Sequence, residues 1–360
     1  MISIKILTTL ADVKARYAHL VSYEVQQNLF ASVEWFECLH EFGFVQPVEP
    51  RIYVAADEVA PDEVAFLFCA ADRAGRTLAS LTNYYTMEYS VVFGPRAVRR
   101  NELVDRLVDH IAGERPRWRQ VNLRLLYEDS PVTELIEDRL RAHDFAVHRY
   151  FQFENYHIDV KNQDFKTYYE ARPSRAKNTI RRREKKLRAE HEVSIVATDR
   201  YAAGQVRDYM TVYENSWKLG EATPAFIDAL CRLADALNIL RLGLLYVGHT
   251  PAASQLWLKS GAKAIIYKLA YDEKFKDFSV GSILTKELAN FVLSRDRLTE
   301  LDYGVGSEDY KKEWMDRTRR IVGIEAFNRR TLAGTGRALR QWARDAAKAI
   351  IPARVIKVGS

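Results

Sequence analysis

The turn between an apolar, strand-like segment and an amphipathic helix is the first candidate site. It runs from Lys276 to Ser282 and reads KDFSVGS. Ser279 and Ser282 are good helix caps, and Gly281 lets a ligand approach the backbone closely. A helix that begins this way has free N–H groups and a positive dipole end, which suit a phosphate. Most strand–turn–helix junctions of this kind are ordinary helix caps, and binding of a phosphorylated donor is the alternative that the pattern leaves open. The predicted donor-binding residues are Lys276, Ser279, Gly281 and Ser282.

A second group of polar residues lies in ELDYGVGSEDYKKEW, Glu300 to Trp314. An apolar strand ends there in Asp302 and Tyr303, and two glycines permit a sharp loop. Polar side chains at the end of a strand in an α/β sheet are where sites usually form. In the rest of the segment, Tyr310 could donate a proton and Lys311 could hold a phosphate or a developing oxyanion. The alternative is a loop with a surface tyrosine and exposed lysines.

A third candidate is the end of a predicted helix, VYENSWKLG, which carries Glu214, Trp217 and Lys218. Glu214 could act as a base, although an exposed helical glutamate is the simpler interpretation. Trp217, Tyr267 and Tyr303 are the aromatic residues that we expect to contact a substrate.

The basic charge of the chain is concentrated in one predicted helix. Residues 172–190, RPSRAKNTIRRREKKLRAE, hold nine Arg or Lys and two Glu, a balance of +7, whereas the whole chain is +6. An anionic partner would explain this density of like charge: nucleic acid, a phosphorylated carrier or a membrane surface. The alternatives are a solvated helix or one neutralised by acids from the other half. The predicted anion-binding residues are Arg181, Arg182 and Arg183.

The sequence lacks the motifs of several other kinds of active site. HExxH, paired CxxC, GxSxG and the phosphate loop GxxxxGK[ST] are absent, and the eight histidines show no ligand spacing, so we expect no metal. Cys38, Cys69 and Cys231 are odd in number and lie among apolar neighbours, which predicts buried free thiols. With no signal peptide and no transmembrane run, we expect a cytoplasmic protein, with association at the inner membrane face as a variant.

Strands and helices alternate in both halves of the chain, which predicts a mixed α/β (α+β) fold. The first half has strands, a helix, a strand, a helix and a strand, and the second half has a similar order without sequence repetition. We predict two similar units with mixed sheets flanked by helices, plus a C-terminal helix. Their predicted ranges are residues 1–160, 161–330 and 331–360.

The predicted C-terminal helix is amphipathic. Apolar residues such as Leu339 and Trp342 lie near a basic stripe made of Arg337, Arg340, Arg344 and Lys348. A helix of this kind could lie on a membrane surface. Packing against its own domain is the alternative that the sequence favours.

Taken together, the motifs of the second half resemble the GNAT acyltransferase superfamily, in the bacterial branch related to CelD proteins and FemAB peptidoglycan transferases. The likeness spans residues 172–328 and depends on the order of several motifs. They are the basic helix, the dipeptide Ser216-Trp217, the strand cadence from LGLLYVG to YDEKF, the turn FSVGSIL, and LDYGVGSEDYKKEW. Val280 stands where the family often has proline. The first half fits a second, degenerate GNAT-like unit loosely.

The resemblance implies a tandem GNAT-like protein that transfers an acyl group to an amine. Acyl-CoA, such as acetyl-CoA, would be the co-substrate, with its pyrophosphate at the turn Lys276–Ser282. By the same resemblance, Asp302, Tyr310 and Lys311 form the polar group of the site. The FemAB relatives take aminoacyl-tRNA instead, which would give the basic helix a polyanion to bind.

Three functions follow as hypotheses. The first is an acyl-CoA-dependent N-acyltransferase in envelope or exopolysaccharide biosynthesis, with an amino sugar or a similar small amine as acceptor. The second is an aminoacyl-tRNA-dependent transferase that extends a peptide or peptidoglycan precursor. The third is a non-catalytic scaffold that binds an anionic polymer or membrane through its basic helix and tail.

Overall fold

The first half of the computed structural model alternates strands and helices. The structure describes residues 1–161, 163–306 and 308–350 of the chain. The elements of the first half are β1 (Ile2–Leu7), α1 (Leu10–Val21), α2 (Tyr23–Gln26), α3 (Val33–Phe42), β2 (Glu49–Asp57), β3 (Val64–Asp72), β4 (Thr77–Ser80), β5 (Val92–Phe93), α4 (Arg100–Gly113), β6 (Gln120–Tyr127), α5 (Pro131–Ala142) and β7 (Phe145–Asp159).

The second half follows a similar order, and short 3-10 turns at Glu273–Phe278 and Asp309–Glu313 flank its candidate site. Its elements are α6 (Phe165–Glu170), α7 (Ser174–Glu190), β8 (Val193–Thr198), α8 (Ala203–Glu214), α9 (Pro224–Ala236), β9 (Leu240–Val247), β10 (Thr250–Ser260), β11 (Lys263–Tyr271), α10 (Val280–Arg295), β12 (Glu300–Asp302), β13 (Arg317–Asn328) and α11 (Leu332–Ile350). The predicted mixed α/β fold, with helices on a mixed sheet, is confirmed.

Thirteen strands of the described residues form one sheet that runs through both halves. Its order is β1-β2-β3-β4-β6-β13-β7-β12-β11-β10-β9-β8, with β5 paired to β3. The last strand, β13, lies between β6 and β7 and pairs antiparallel with both. The sheet therefore continues across the predicted boundary at residue 160, and the division into domains stays a prediction.

The apolar runs of the sequence become strands that are buried on both faces. In β10, all residues from Ala252 to Leu258 are buried. One apolar cluster packs the first half together with α8 and α9, and a second packs α10 against β10 and β11. Strands covered on both sides lose the alternation of polar and apolar residues, which is why these segments read as continuous apolar runs.

The order of elements predicted for the first half did not include the first strand and helix, β1 and α1. A signal for α1 was present, because Thr9 precedes it and its Oγ1 accepts a hydrogen bond from the Asp12 amide at 3.1 Å. The prediction for the cysteines is confirmed, since all three are free and buried. Among the described residues, no helix is both long and apolar enough to cross a membrane.

A buried ion network connects β7, β12 and β13. Arg319 on β13 pairs with Asp302 and, at 2.8 Å, with Glu300, and its Nε donates to Asn155 Oδ1 at 2.6 Å. Asn155 in turn donates to Asp302 at 2.6 Å. Asp302 also accepts the amide of Gly304 at 2.7 Å. The network therefore fixes both the strand junction and the start of the loop that follows β12.

Arg319→Ala should destabilise the fold by about 3–5 kcal/mol, because it leaves two buried carboxylates without their cation. The free energy of unfolding from urea titration measures the loss. Arg317→Ala on the same strand is the matched control. Its pair with Asp159 is largely exposed, so we expect a change below about 1 kcal/mol. Equal effects of the two substitutions would contradict a structural role specific to Arg319.

Candidate functional site

A cavity of about 330 Å³ lies where α7, the start of α10, the sheet and the 3-10 turn at Asp309–Glu313 meet. It brings together eight of the residues singled out from the sequence, which are Arg183, Trp217, Lys276, Ser279, Gly281, Ser282, Tyr303 and Tyr310. They come from four separate segments of the chain. Residues that the sequence analysis did not select complete the wall, among them Gln255, Tyr271, Thr285, Glu313 and Trp314.

The start of α10 is open toward this cavity. Ser279 precedes the helix in the left-handed region, with φ of 54°, and its side chain makes no capping hydrogen bond. The Ser279 hydroxyl instead accepts a hydrogen bond from Arg183 at 2.7 Å. Serine was predicted to cap the helix, and this geometry corrects that prediction. The first-turn N–H groups of a helix have no partner within the helix, so here they stay available beside a guanidinium.

Gly281 keeps the cavity open at the helix start. A Cβ there would lie 3.3 Å from the Tyr271 ring, so a larger side chain would fill the space in front of the first turn. The Gly281 carbonyl accepts hydrogen bonds from Gln255 at 2.9 Å and from Thr285 at 3.0 Å. Gln255 was missed, although a glutamine inside the apolar strand SQLWL was a visible signal of a buried polar contact.

Aromatic side chains form the opposite wall. The rings of Trp217 and Tyr271 are 4.6 Å apart, and Tyr303 meets Tyr310 edge to face at 5.7 Å. Burial raises the pKa of the Tyr303 phenol, and burial together with Glu308 raises the pKa of Tyr310. Both phenols therefore keep their proton at physiological pH and can donate hydrogen bonds into the cavity.

Lys311 supports the loop behind Tyr303 instead of lining the cavity. Its side chain is buried, and Nζ donates to the carbonyls of Val305 at 2.6 Å and Gly306 at 3.0 Å. It also pairs with Glu308 at 2.9 Å. Burial lowers the pKa of Lys311. The structure places Lys311 as a loop support, so in this geometry its ammonium has protein partners already.

Three more residues singled out from the sequence lie outside the cavity. Asp302 is held in the ion network with Arg319. Tyr267 is buried in β11, where its hydroxyl donates to the Tyr85 carbonyl at 2.7 Å. Glu214 ends α8 on the surface and lines a different, open pocket. Spacing along the chain gave no information about the direction of these side chains.

The three arginines of the basic helix that were predicted to bind an anion face different surroundings. Arg183 reaches the cavity, whereas Arg181 and Arg182 are exposed on α7. The ion pairs of α7 are local or reach α10, as in Glu184 with Arg188 at 3.1 Å and with Lys286 at 2.7 Å. Among the described residues, no acid of the first half pairs with this helix. This argues against the alternative that acids of the first half neutralise its charge.

The first half contributes side chains beside the cavity. Lys268 pairs with Glu221 at 2.6 Å, both almost fully buried. Two tyrosines of the first half join this pair, since Lys268 donates to the Tyr84 hydroxyl at 3.1 Å and Tyr85 donates to Glu221 at 2.9 Å. The cluster lies at an edge that the sequence analysis missed, because its two tyrosines are more than 130 residues before Glu221 and Lys268 in the chain.

Lys218 lies at this edge, next to the cavity residue Trp217. Its Nζ is 5.6 Å from the Trp217 ring centre. Burial, with a further contribution from the Lys268 charge, lowers the pKa of Lys218 to about 8. Lys218 can therefore exchange a proton near neutral pH.

The corresponding helix start in the first half is closed. The amides of Val98 and Arg99, just before α4, both donate to the buried carboxylate of Glu63 at 3.0 Å. Arg99 is itself paired with Asp57 at 2.8 Å. A carboxylate of the chain thus lies directly before this helix start. Of these two helix starts, the one at α10 is open to an anion.

Comparison with known proteins agrees with this architecture. Residues 174–312 match the family model described as acetyltransferase (GNAT) domain. No curated protein matches the sequence significantly. The fold is that of tandem GNAT proteins. The likeness to the CelD branch stays a prediction.

Three solved structures illustrate the fold. FemX superposes with a TM-score of 0.59 at 10% identity, covering 91% of this chain and 97% of FemX. The C-terminal domain (DUF2156) of a putative lysylphosphatidylglycerol synthetase from Agrobacterium fabrum gives 0.53 at 11% identity, covering 94% and 97%. A tandem GNAT protein from the clavulanic acid biosynthesis pathway gives 0.51 at 11% identity, covering 90% and 98%.

Lys218→Met should stabilise the protein at pH 7, because it removes an ammonium that burial disfavours. The folded pKa lies below the unfolded value, so the unfolded chain binds more protons between about pH 8 and pH 10.5. The free energy of unfolding of the variant should exceed that of the wild type by on the order of 1–3 kcal/mol below pH 8. This difference should shrink as the pH rises through that window. Urea titrations at pH 7 and pH 9.5 measure it. Lys312→Met, at an exposed lysine, is the control. The same pH-dependent gain in stability in this variant would argue against burial of Lys218 as the cause.

Proposed function

We propose that the protein is an acyl-CoA-dependent N-acyltransferase that acts on an amine-bearing acceptor. The observation that carries this proposal is the open start of α10 beside Arg183, at the end of a cavity with hydrogen-bond donors on its walls. Support comes from the match of residues 174–312 to a GNAT acetyltransferase domain. The expectation of a role in envelope or exopolysaccharide biosynthesis depends on the sequence resemblance.

The donor would bind through its pyrophosphate. The first-turn amides at Gly281 and Ser282 supply N–H groups at the positive end of the helix dipole. Arg183 supplies a guanidinium that suits a phosphate oxygen. Its hydrogen bond to Ser279 already holds that guanidinium at the helix start, so little ordering is needed on binding.

The acyl group would lie farther into the cavity, between the aromatic walls. Attack by an amine on the thioester carbonyl develops negative charge on oxygen, and then releases a thiolate. Tyr310 and Tyr303 are placed to donate hydrogen bonds to these charges. Because burial raises the pKa of both phenols, they keep their protons beside the more acidic leaving thiol. The tyrosines would therefore stabilise charge, and the proton of the leaving thiol must come from another group.

The acceptor amine must lose its proton before it can attack. Lys218, with a pKa of about 8, can take up that proton at neutral to mildly alkaline pH. The charges of Lys268 and Lys311 lower the pKa of Lys218 further, which favours its neutral amine. Lys218 replaces Glu214 as the proposed base, because Glu214 lies at a different surface pocket.

A second candidate function is transfer from aminoacyl-tRNA, which the exposed Arg181 and Arg182 favour. They extend the positive surface from Arg183 away from the cavity, as a polyanion larger than CoA would require. This candidate predicts tRNA binding that weakens steeply with salt and with neutralisation of these two arginines.

Acetyl-CoA or a longer acyl-CoA should raise the melting temperature of the protein, because a ligand of the folded state stabilises it by mass action. At a hundredfold excess over Kd the gain is about 2.7 kcal/mol. Gly281→Phe should abolish the shift. Gly113→Phe is the control, because a Cβ at Gly113 meets open space, and it should keep the shift.

The same experiment with deacylated tRNA separates the alternatives. A shift with tRNA alone that fades with salt would favour the second candidate. No shift with either ligand would leave the start of α10 as an ordinary helix start and favour the non-catalytic scaffold.

Lys218→Arg should lower kcat/KM by about 10²–10⁴-fold, because an arginine stays protonated and cannot accept the proton of the amine. In the wild type, kcat/KM should rise with pH and level off above an apparent pKa near 8. The Lys218→Ala variant should have a low kcat/KM, and its pH profile should lack the inflection near pH 8. A loss of rate with the inflection unchanged would assign the titration to another group.

A further inference from the structure

The C-terminal helix α11 turns its apolar side away from the rest of the protein. Leu332, Leu339 and Trp342 have exposed fractions of 96%, 62% and 72%. Their spacings of seven and three residues place them on one side of the helix. The opposite side contacts the body, where Gly334 is buried and Arg337 donates to Gln120.

This orientation is the reverse of what burial energetics favour in water. A surface helix of a globular protein normally presents its apolar stripe to the core and its charged residues to solvent. Here the contacts with the body are polar, including that of Gln341 with His148 at 3.3 Å. An apolar side that is left exposed, and that includes a tryptophan, indicates an interaction site.

The charge of the helix identifies the kind of partner. The sequence of α11 contains three arginines and one lysine against a single acid, Asp345. Arg340 and Arg344 are exposed, next to the apolar side, and neither has an acidic partner among the described residues. An apolar stripe with Trp and Leu beside arginines matches the boundary between headgroups and acyl chains in an anionic bilayer. A second copy of the same helix fits less well, because a symmetric pair would bring the arginines of both copies together.

We propose that α11 lies in the surface of an anionic membrane and attaches the protein to it. Leu339 and Trp342 enter the boundary between headgroups and acyl chains, and Arg340 and Arg344 contact lipid phosphates. The proposal is independent of the proposed acyl transfer, because it uses no residue of the cavity. It assigns membrane contact to α11 and not to the basic helix α7.

Co-sedimentation with vesicles tests this assignment. The full chain should bind vesicles that contain 30 mol% phosphatidylglycerol in phosphatidylcholine at least tenfold more tightly than pure phosphatidylcholine, and salt should weaken the binding. Leu339→Ser/Trp342→Ser and, separately, Arg340→Glu/Arg344→Glu should each reduce the affinity at least tenfold. These side chains are exposed, so an unchanged melting temperature serves as the check on folding.

Two matched controls make the test specific. Arg181→Glu/Arg182→Glu has the same charge change on α7, and Phe151→Ser removes an exposed aromatic ring elsewhere. Both should bind like the wild type. Loss of binding in the α7 variant with full binding in the α11 variants would overturn the proposal. So would equal binding to neutral and anionic vesicles. A dimer in sedimentation velocity that Leu339→Ser/Trp342→Ser abolishes, without vesicle binding, would assign the apolar side to a second copy.

Discussion

The pairing of Arg319 with Asp302 and Glu300 is the interaction on which the site depends. One guanidinium pairs there with the buried Asp302 and the half-buried Glu300, where strands from both halves meet. Asp302 then holds the amide of Gly304 and so fixes the start of the loop that leads to Tyr310. Because Lys311 binds the carbonyls of the same loop, one wall of the cavity is positioned from behind by buried charges. Asp302 and Lys311 thus support the site without facing it.

The two halves share an architecture but differ at the helix starts where a GNAT-like unit would bind an anion. In the first half, Glu63 satisfies the amides before α4. In the second half, Ser279 leaves the start of α10 uncapped and Arg183 adds a positive charge. A carboxylate in one place and a guanidinium in the other give opposite local potentials. This difference would let a tandem protein keep two similar units with one donor site, the one proposed at α10, and the first half contributes Tyr84 and Tyr85 beside it.

Most strands and helices and the turn at Gly281 could be predicted from the sequence, because both depend on local patterns of apolar residues, glycine and serine. It could not give the direction of side chains that pack across the sheet. Asp302 and Tyr303 are adjacent in sequence, yet one points into an ion network and the other into the cavity. Lys218 acquires its lowered pKa from burial and from Lys268, fifty positions away. Such properties arise from tertiary contacts, which no short motif records.

The position of β13 has a consequence for how the chain is made. This strand separates β6 from β7, so the sheet of the first half has a gap until residues near the C-terminus have been synthesised. During translation, β6 and β7 must wait with unpaired edges for a partner that lies about 160 residues downstream of β7. Unpaired edges favour aggregation, and contacts of such long sequence separation form slowly. Until β13 has been made, the first half therefore exposes two strand edges that the finished sheet covers.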